Sequence, residues 1–86
     1  MTDYDIIQIT IINDYVKSDR QFIPQPSEDN RYHVLNARGK KVALLWFKWS
    51  AGGWLIQFYK ERPNTWKQRT PITRLNTLLN TINRYI

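Results

Sequence analysis

The spacing of apolar positions divides the chain into four stretches. The clearest is 70-TPITRLNTLLNTINRYI-86, where Ile72, Leu75, Leu79, Ile82 and Ile86 recur at intervals of three and four. That spacing is one stripe on a helix. Thr70 suits the N-cap and Pro71 the first helical position, so the pattern predicts a helix over 70–86. Asn and Thr on its other face are poor helix formers, so this helix needs a sheet to lie on. At the other end the signals compete. In 6-IIQITII-12 the β-branched residues Ile7, Ile9 and Ile11 alternate, as in a strand. The following 11-IINDYVKS-18 reads as helix, and Thr2 or Asp3 can cap it. Residues 1–17 are therefore expected as a helix running through 3–17, with a strand as the alternative.

Between these ends, 18-SDRQFIPQPSEDN-30 reads as a loop. Pro24 and Pro26 each remove a backbone donor and push the preceding residue out of the helical region. Residues 31–69 read as an antiparallel sheet. Three strands form a meander through residue 61, with turns at 36-NARG-39 and at Gly52-Gly53. A short fourth strand is expected around Trp66. The fold class is α+β, a three- or four-stranded antiparallel meander packed by a C-terminal helix. All 86 residues form one domain by length.

The segment 46-WFKWSAGGWLIQFYK-60 carries six aromatics in fifteen residues. With Gly52-Gly53 as a two-residue loop, Ala51 faces Trp54, Trp49 faces Ile56 and Phe47 faces Phe58. Leu45 continues that apolar face opposite Lys60, and this face is the expected core. The opposite face pairs Ser50 with Leu55, Lys48 with Gln57, Trp46 with Tyr59 and Leu44 with Glu61. Lys48 and Gln57 argue against burial there, which leaves Trp46 and Tyr59 as surplus rings. The first turn sets the neighbouring strand. One register puts Arg31 beside Trp46 and His33 beside Leu44, and a slip of one residue turns Tyr32 outward instead. A rival arrangement packs residues 1–17 over this outer face.

Composition sharpens the picture. A chain this short buries only roughly 60% of its unfolded surface, and large rings help to fill a small core. No cysteine is present, so there is no disulfide, thiol nucleophile or thiolate metal site. No apolar run approaches the roughly 20 residues of a membrane span, and the acidic start MTDYDII does not resemble a signal peptide. The expected location is cytoplasmic, with no membrane partner. Charge is divided along the chain. Residues 1–30 carry six acids against Lys17 and Arg20, a net of −4; residues 31–86 carry eleven Lys and Arg against Glu61, a net of +10. A basic half of this kind suits a polyanion.

Rings interleaved with cations on an open sheet suit single-stranded DNA or RNA, more than duplex. The expected stacking residues are Trp46 and Tyr59. The expected phosphate contacts are Arg31, Lys40, Lys41, Lys48, Lys60, Arg62, Lys67 and Arg69. Another reading is a protein-interaction module whose basic face docks on an acidic protein surface. One such module is a phage or mobile-element inhibitor seated on the nucleic-acid-binding surface of a host enzyme. A homodimer is a third reading, with the acidic segment of one chain against the basic half of another.

Enzyme function is not expected. His33 is the lone histidine and has no partner acid nearby in sequence, and the acids form no acid–base pair. Asp3 with Asp5, or Glu28 with Asp29, read as helix-start and loop acids rather than a metal site, and no cofactor motif is present. Arg74 and Arg84, with Thr77 and Thr81 between them, read as a solvated helix face. In topology alone, three strands then a helix, with 53-GWLIQFY-59 as the third strand, resembles the arm-binding domains of phage-type integrases. With a helix at 1–17 the order is similar to a double-stranded-RNA-binding domain. The basic helix start implied by that likeness is missing, since 71-PITRLNT-77 has one cation.

Overall fold

The computed structural model of the protein describes residues 2–27, 30–62 and 64–85. It is α+β: a four-stranded antiparallel sheet with an N-terminal and a C-terminal helix. The order is α1 (Asp3–Ser18), β1 (Phe22–Pro24), β2 (Arg31–Leu35), β3 (Lys41–Lys48), β4 (Gly53–Phe58) and α2 (Leu75–Tyr85). Two 3-10 turns, Trp49–Ala51 and Thr65–Gln68, flank β4 in sequence.

The competition at the N-terminus resolves to a helix. Thr2 caps it by accepting from the Asp5 backbone N–H, and the Asp5 carboxylate accepts in return from the Thr2 N–H and hydroxyl. This reciprocal box satisfies donors that a helix start otherwise leaves open. Ile9, Ile12 and Val16 face the core at helical spacing. The remaining isoleucines point elsewhere, so α1 is apolar on more than one side.

The stretch expected as a loop over 18–30 contains a strand. Asp19 Oδ1 accepts from the Gln21 N–H at 2.8 Å, which turns the chain into β1. Phe22 pairs with Val34, Ile23 with His33 and Pro24 with Tyr32. Phe22 is buried with the edge of its ring against Tyr15. Pro24 ends an edge strand, where its missing donor is tolerated. The fourth strand thus lies at this edge, and the segment around Trp66 is a 3-10 turn instead. Glu28 and Asp29 lie outside the described residues.

In the β2–β3 turn, Asn36 Oδ1 accepts from the Arg38 and Lys40 N–H groups, and Gly39 takes the left-handed conformation at φ 78°. A register shift between Val34 and Leu35 absorbs the extra residue. Arg31 therefore pairs with Trp46 and His33 with Leu44, while Tyr32 enters the core.

The second hairpin departs from the two-residue loop expected at Gly52-Gly53. The loop is Trp49–Gly52, closed by the Gly52 N–H on the carbonyls of Lys48 and Trp49, with Gly52 at φ 83°. Phe47 pairs with Trp54, Trp46 with Leu55, Leu45 with Ile56 and Leu44 with Gln57. Partners are displaced by four residues from the expected pairing. An even displacement preserves which side chains share a face. Leu45, Trp54, Ile56 and Phe58 are buried as expected. Trp49 is not: the longer loop lifts it out to 65% exposure, edge-on against Phe47.

The displacement has a cause in Gly53. A Cβ on this residue would lie 2.7 Å from the Ile72 carbonyl oxygen. Gly53 serves the close approach of residues 71–73, and Gly52 alone serves the turn. Ile72 donates to the Trp54 carbonyl at 2.7 Å and accepts from the Trp54 N–H at 2.8 Å. This bridge also corrects the expected start of the second helix. Thr70 and Pro71 do not open it, because the extended chain after them pairs with the open edge of β4. The helix begins at Leu75 and buries Leu78 and Ile82. Ile72 joins the core from its bridge, and Ile86 lies outside the described residues.

One buried cluster joins Ile9, Ile12 and Val16 of α1, Leu78 and Ile82 of α2, and the inward residues of the strands. Both helices thus cover the same face of the sheet. The rival arrangement, with residues 1–17 over the outer face, does not occur.

Candidate nucleic-acid interface

The outer face is built by strand alternation. Arg31 and His33 from β2, Leu44, Trp46 and Lys48 from β3, and Leu55 and Gln57 from β4 point away from the helices. After β4 the chain returns over one end of this face. Gln57 Oε1 accepts from the Trp66 N–H at 3.1 Å, which fixes the 3-10 turn Thr65–Gln68 against the sheet. The Trp66 ring then meets Trp46 edge-to-face, with centroids 5.0 Å apart and planes at 78°. Leu55 is only 5% exposed although it points to the outer side. Trp46, half-buried, stays open in part to solvent.

The result is a groove of about 530 Å³ lined by Arg31, Leu44, Trp46, Lys48, Gln57 and Trp66, with Phe47 at its end. Lys48 is exposed at the rim, and the Lys67 ammonium lies 5.5 Å from the centre of the Trp66 ring. Arg31 is half-buried beside Trp46. Two indoles and three cations thus converge at one end of the face.

Tyr59 does not pair with Trp46. Its N–H donates to the Val42 carbonyl at 3.0 Å, and its hydroxyl lies 3.2 Å from His33 Nδ1 across the sheet. Partial burial raises the Tyr59 phenol above its ordinary value. Lys40, Lys41, Lys60 and Arg62 are exposed in and after the turns toward this second end. Lys41 and Lys48 sit at opposite ends of β3, about 23 Å apart at the usual rise of a strand. The expected residues therefore fall into two groups along one strip, Trp46 with Arg31, Lys48 and Lys67, and Tyr59 with the turn lysines.

Arg69 belongs to neither group. It forms an ion pair with Glu61, donates to the Ile56 carbonyl at 2.9 Å and lies over the rings of Phe58 and Tyr85. These contacts hold the outer edge of β4 and give Arg69 a structural role. Glu61, expected opposite Leu44, is this partner instead.

Trp66, His33 and Gln57 were not among the expected site residues. Trp66 lies beyond the end of the hairpin in sequence, and its N–H on Gln57 Oε1 ties it back to the sheet. Its signal in sequence was a lone ring flanked by Lys67 and Arg69. Among the described residues no group of three or more His, Asp or Glu side chains is placed to hold a metal ion. No helix among them is long and apolar enough to cross a membrane. No protein-family model, curated protein or solved structure matches this chain.

Proposed function

We propose that the outer sheet face binds single-stranded nucleic acid, DNA or RNA. The groove formed by Trp46 and Trp66 beside Arg31 and Lys48 carries this reading. Both helices pack on the opposite face, so the groove faces solvent. A base stacks on the open part of the Trp46 ring, while Lys48, Lys67 and Arg31 take adjacent phosphates. Tyr59 and the turn lysines extend the track along the strip. The flat rings select single strands, because paired bases present no free π-face.

A tryptophan-fluorescence titration with a short single-stranded oligonucleotide, at about 50 and 200 mM salt, tests this. Quenching that weakens with salt is expected. Trp46→Ala should lose roughly five- to hundredfold in affinity, the range of one lost stacking contact. Lys48→Glu should weaken binding and reduce its salt dependence. No binding at the lower salt concentration sinks the proposal. An acidic protein surface then becomes the better ligand for the same cations, and Trp49, 65% exposed, is the aromatic anchor such an interface would use.

A further inference from the structure

The outward side of α1 carries Tyr4, Ile7 and Ile11, each between 41% and 57% exposed. With Asp14 and Ser18 they continue a spacing of three and four along the helix, opposite the buried Ile9, Ile12 and Val16. A surface helix normally shows water a polar face, and this one shows it a second apolar stripe. The charges beside the stripe are ordered. Asp3 flanks its start, Thr10 its middle and Lys17 its end, each seven residues from the next.

We propose that this stripe is a self-association surface, on which a second copy of the chain packs its own α1 antiparallel. The spacing is self-complementary in that direction. Ile7 packs on Ile11 of the copy and Ile11 on its Ile7. Tyr4 comes opposite Asp14 of the copy, phenol to carboxylate. Along one flank Asp3 faces Lys17 of the copy, Thr10 faces Thr10, and Lys17 faces Asp3, so every charge on that flank meets its opposite. The Arg74 guanidinium lies 5.5 Å from the centre of the Tyr4 ring and adds a cation where Asp14 of the copy arrives. A parallel pair would set Asp3 against the acidic start of the second helix and Lys17 against its basic end. Opposed helix dipoles favour the antiparallel pair as well. A helix of 16 residues offers about 24 Å of contact, less than a standard interface, so the dimer is a concentration-dependent one.

Sedimentation equilibrium without nucleic acid, at low-micromolar and near-millimolar chain concentration, measures this. The mass is expected to rise from 10.4 kDa toward about twice that value. Ile7→Glu should hold the mass at one chain, with its circular dichroism and melting at low concentration unchanged. Lys17→Asp alone should weaken association several-fold, and Asp3→Lys with Lys17→Asp should restore it, whatever each does to monomer stability. A native chain that stays single at near-millimolar concentration overturns the proposal and leaves the stripe to another occupant. Association that survives Ile7→Glu overturns it too, because the contact then lies elsewhere.

Discussion

Gly52 and Gly53 are adjacent and answer to different constraints. Gly52 holds φ 83°, a conformation that costs other residues about 1–2 kcal/mol. At Gly53 the constraint is a backbone oxygen 2.7 Å from where a Cβ would stand. Gly53→Ala must push the 71–73 segment off β4, at about 1–3 kcal/mol, the usual cost of overpacking. Thermal melts should therefore show both alanine variants destabilised. Only Gly53→Ala should also expose the amide protons of Trp54 and Ile72 to exchange, since only there is the bridge lost. Sequence alone made both glycines turn residues, because a Gly-Gly pair between apolar runs fits a tight hairpin. The distinction depends on Ile72, nearly twenty residues later. The same contact accounts for Trp49, which parity assigned to the core and the longer loop exposes. Trp46 and Lys48 were legible together because alternation along one strand places them on one face; Arg31 joined them in only one of two registers, and the shift between Val34 and Leu35 decides it.

At the scale of elements, each helix start can be tested against the other. Thr2 caps α1, so Thr2→Ala should cost about 1 kcal/mol in a melt, as N-cap losses do. Thr70 precedes an extended segment, so Thr70→Ala should leave helix content unchanged by circular dichroism. The first of these carries a pH signature. The Thr2 hydroxyl, and after it the Thr2 backbone N–H, hold the Asp5 carboxyl below its ordinary value. A depressed folded-state value means the stabilisation is fully present above the ordinary carboxylate range. It is lost as pH falls through the folded value. Thr2→Val should flatten that part of an acid titration of stability, and an unchanged acid limb would contradict the box. The N-terminal helix was expected from its cap and from 11-IINDYVKS-18, against the strand-like alternation of Ile7, Ile9 and Ile11. The strand Phe22–Pro24 was not, because two prolines mask a three-residue edge whose partner lies beyond the next turn. The second helix was placed correctly in its body and wrongly at its start. Thr-Pro is a sound N-cap signal, and an unpaired strand edge outweighed it.

Across the whole molecule, the sheet has one covered and one open face, and its long edge is fastened. The Ile72 bridge and the Arg69 contact to Ile56 occupy the outer side of β4, while β1 is short and ends in proline. Exposed strand edges are templates for aggregation, and both devices blunt them. Ile72→Pro removes the donor to Trp54. It should raise dye-detected aggregation well above that of Ile72→Val at equal concentration, and equal aggregation would mean that the bridge protects nothing.

The fastening also has an order in time. The residues that close the β4 edge and cover the core beside it follow β4 in the chain, so they are synthesised after it. Twenty-four residues separate Phe58 from Ile82. At roughly 5–20 residues per second, a nascent chain carries β4 with its outer edge open for roughly one to five seconds. During that interval the acidic N-terminal helix covers the sheet without α2. A ribosome pausing between the emergence of Phe58 and that of Ile82 would lengthen the exposure, so codon choice downstream of β4 should influence how much of the protein reaches the native state.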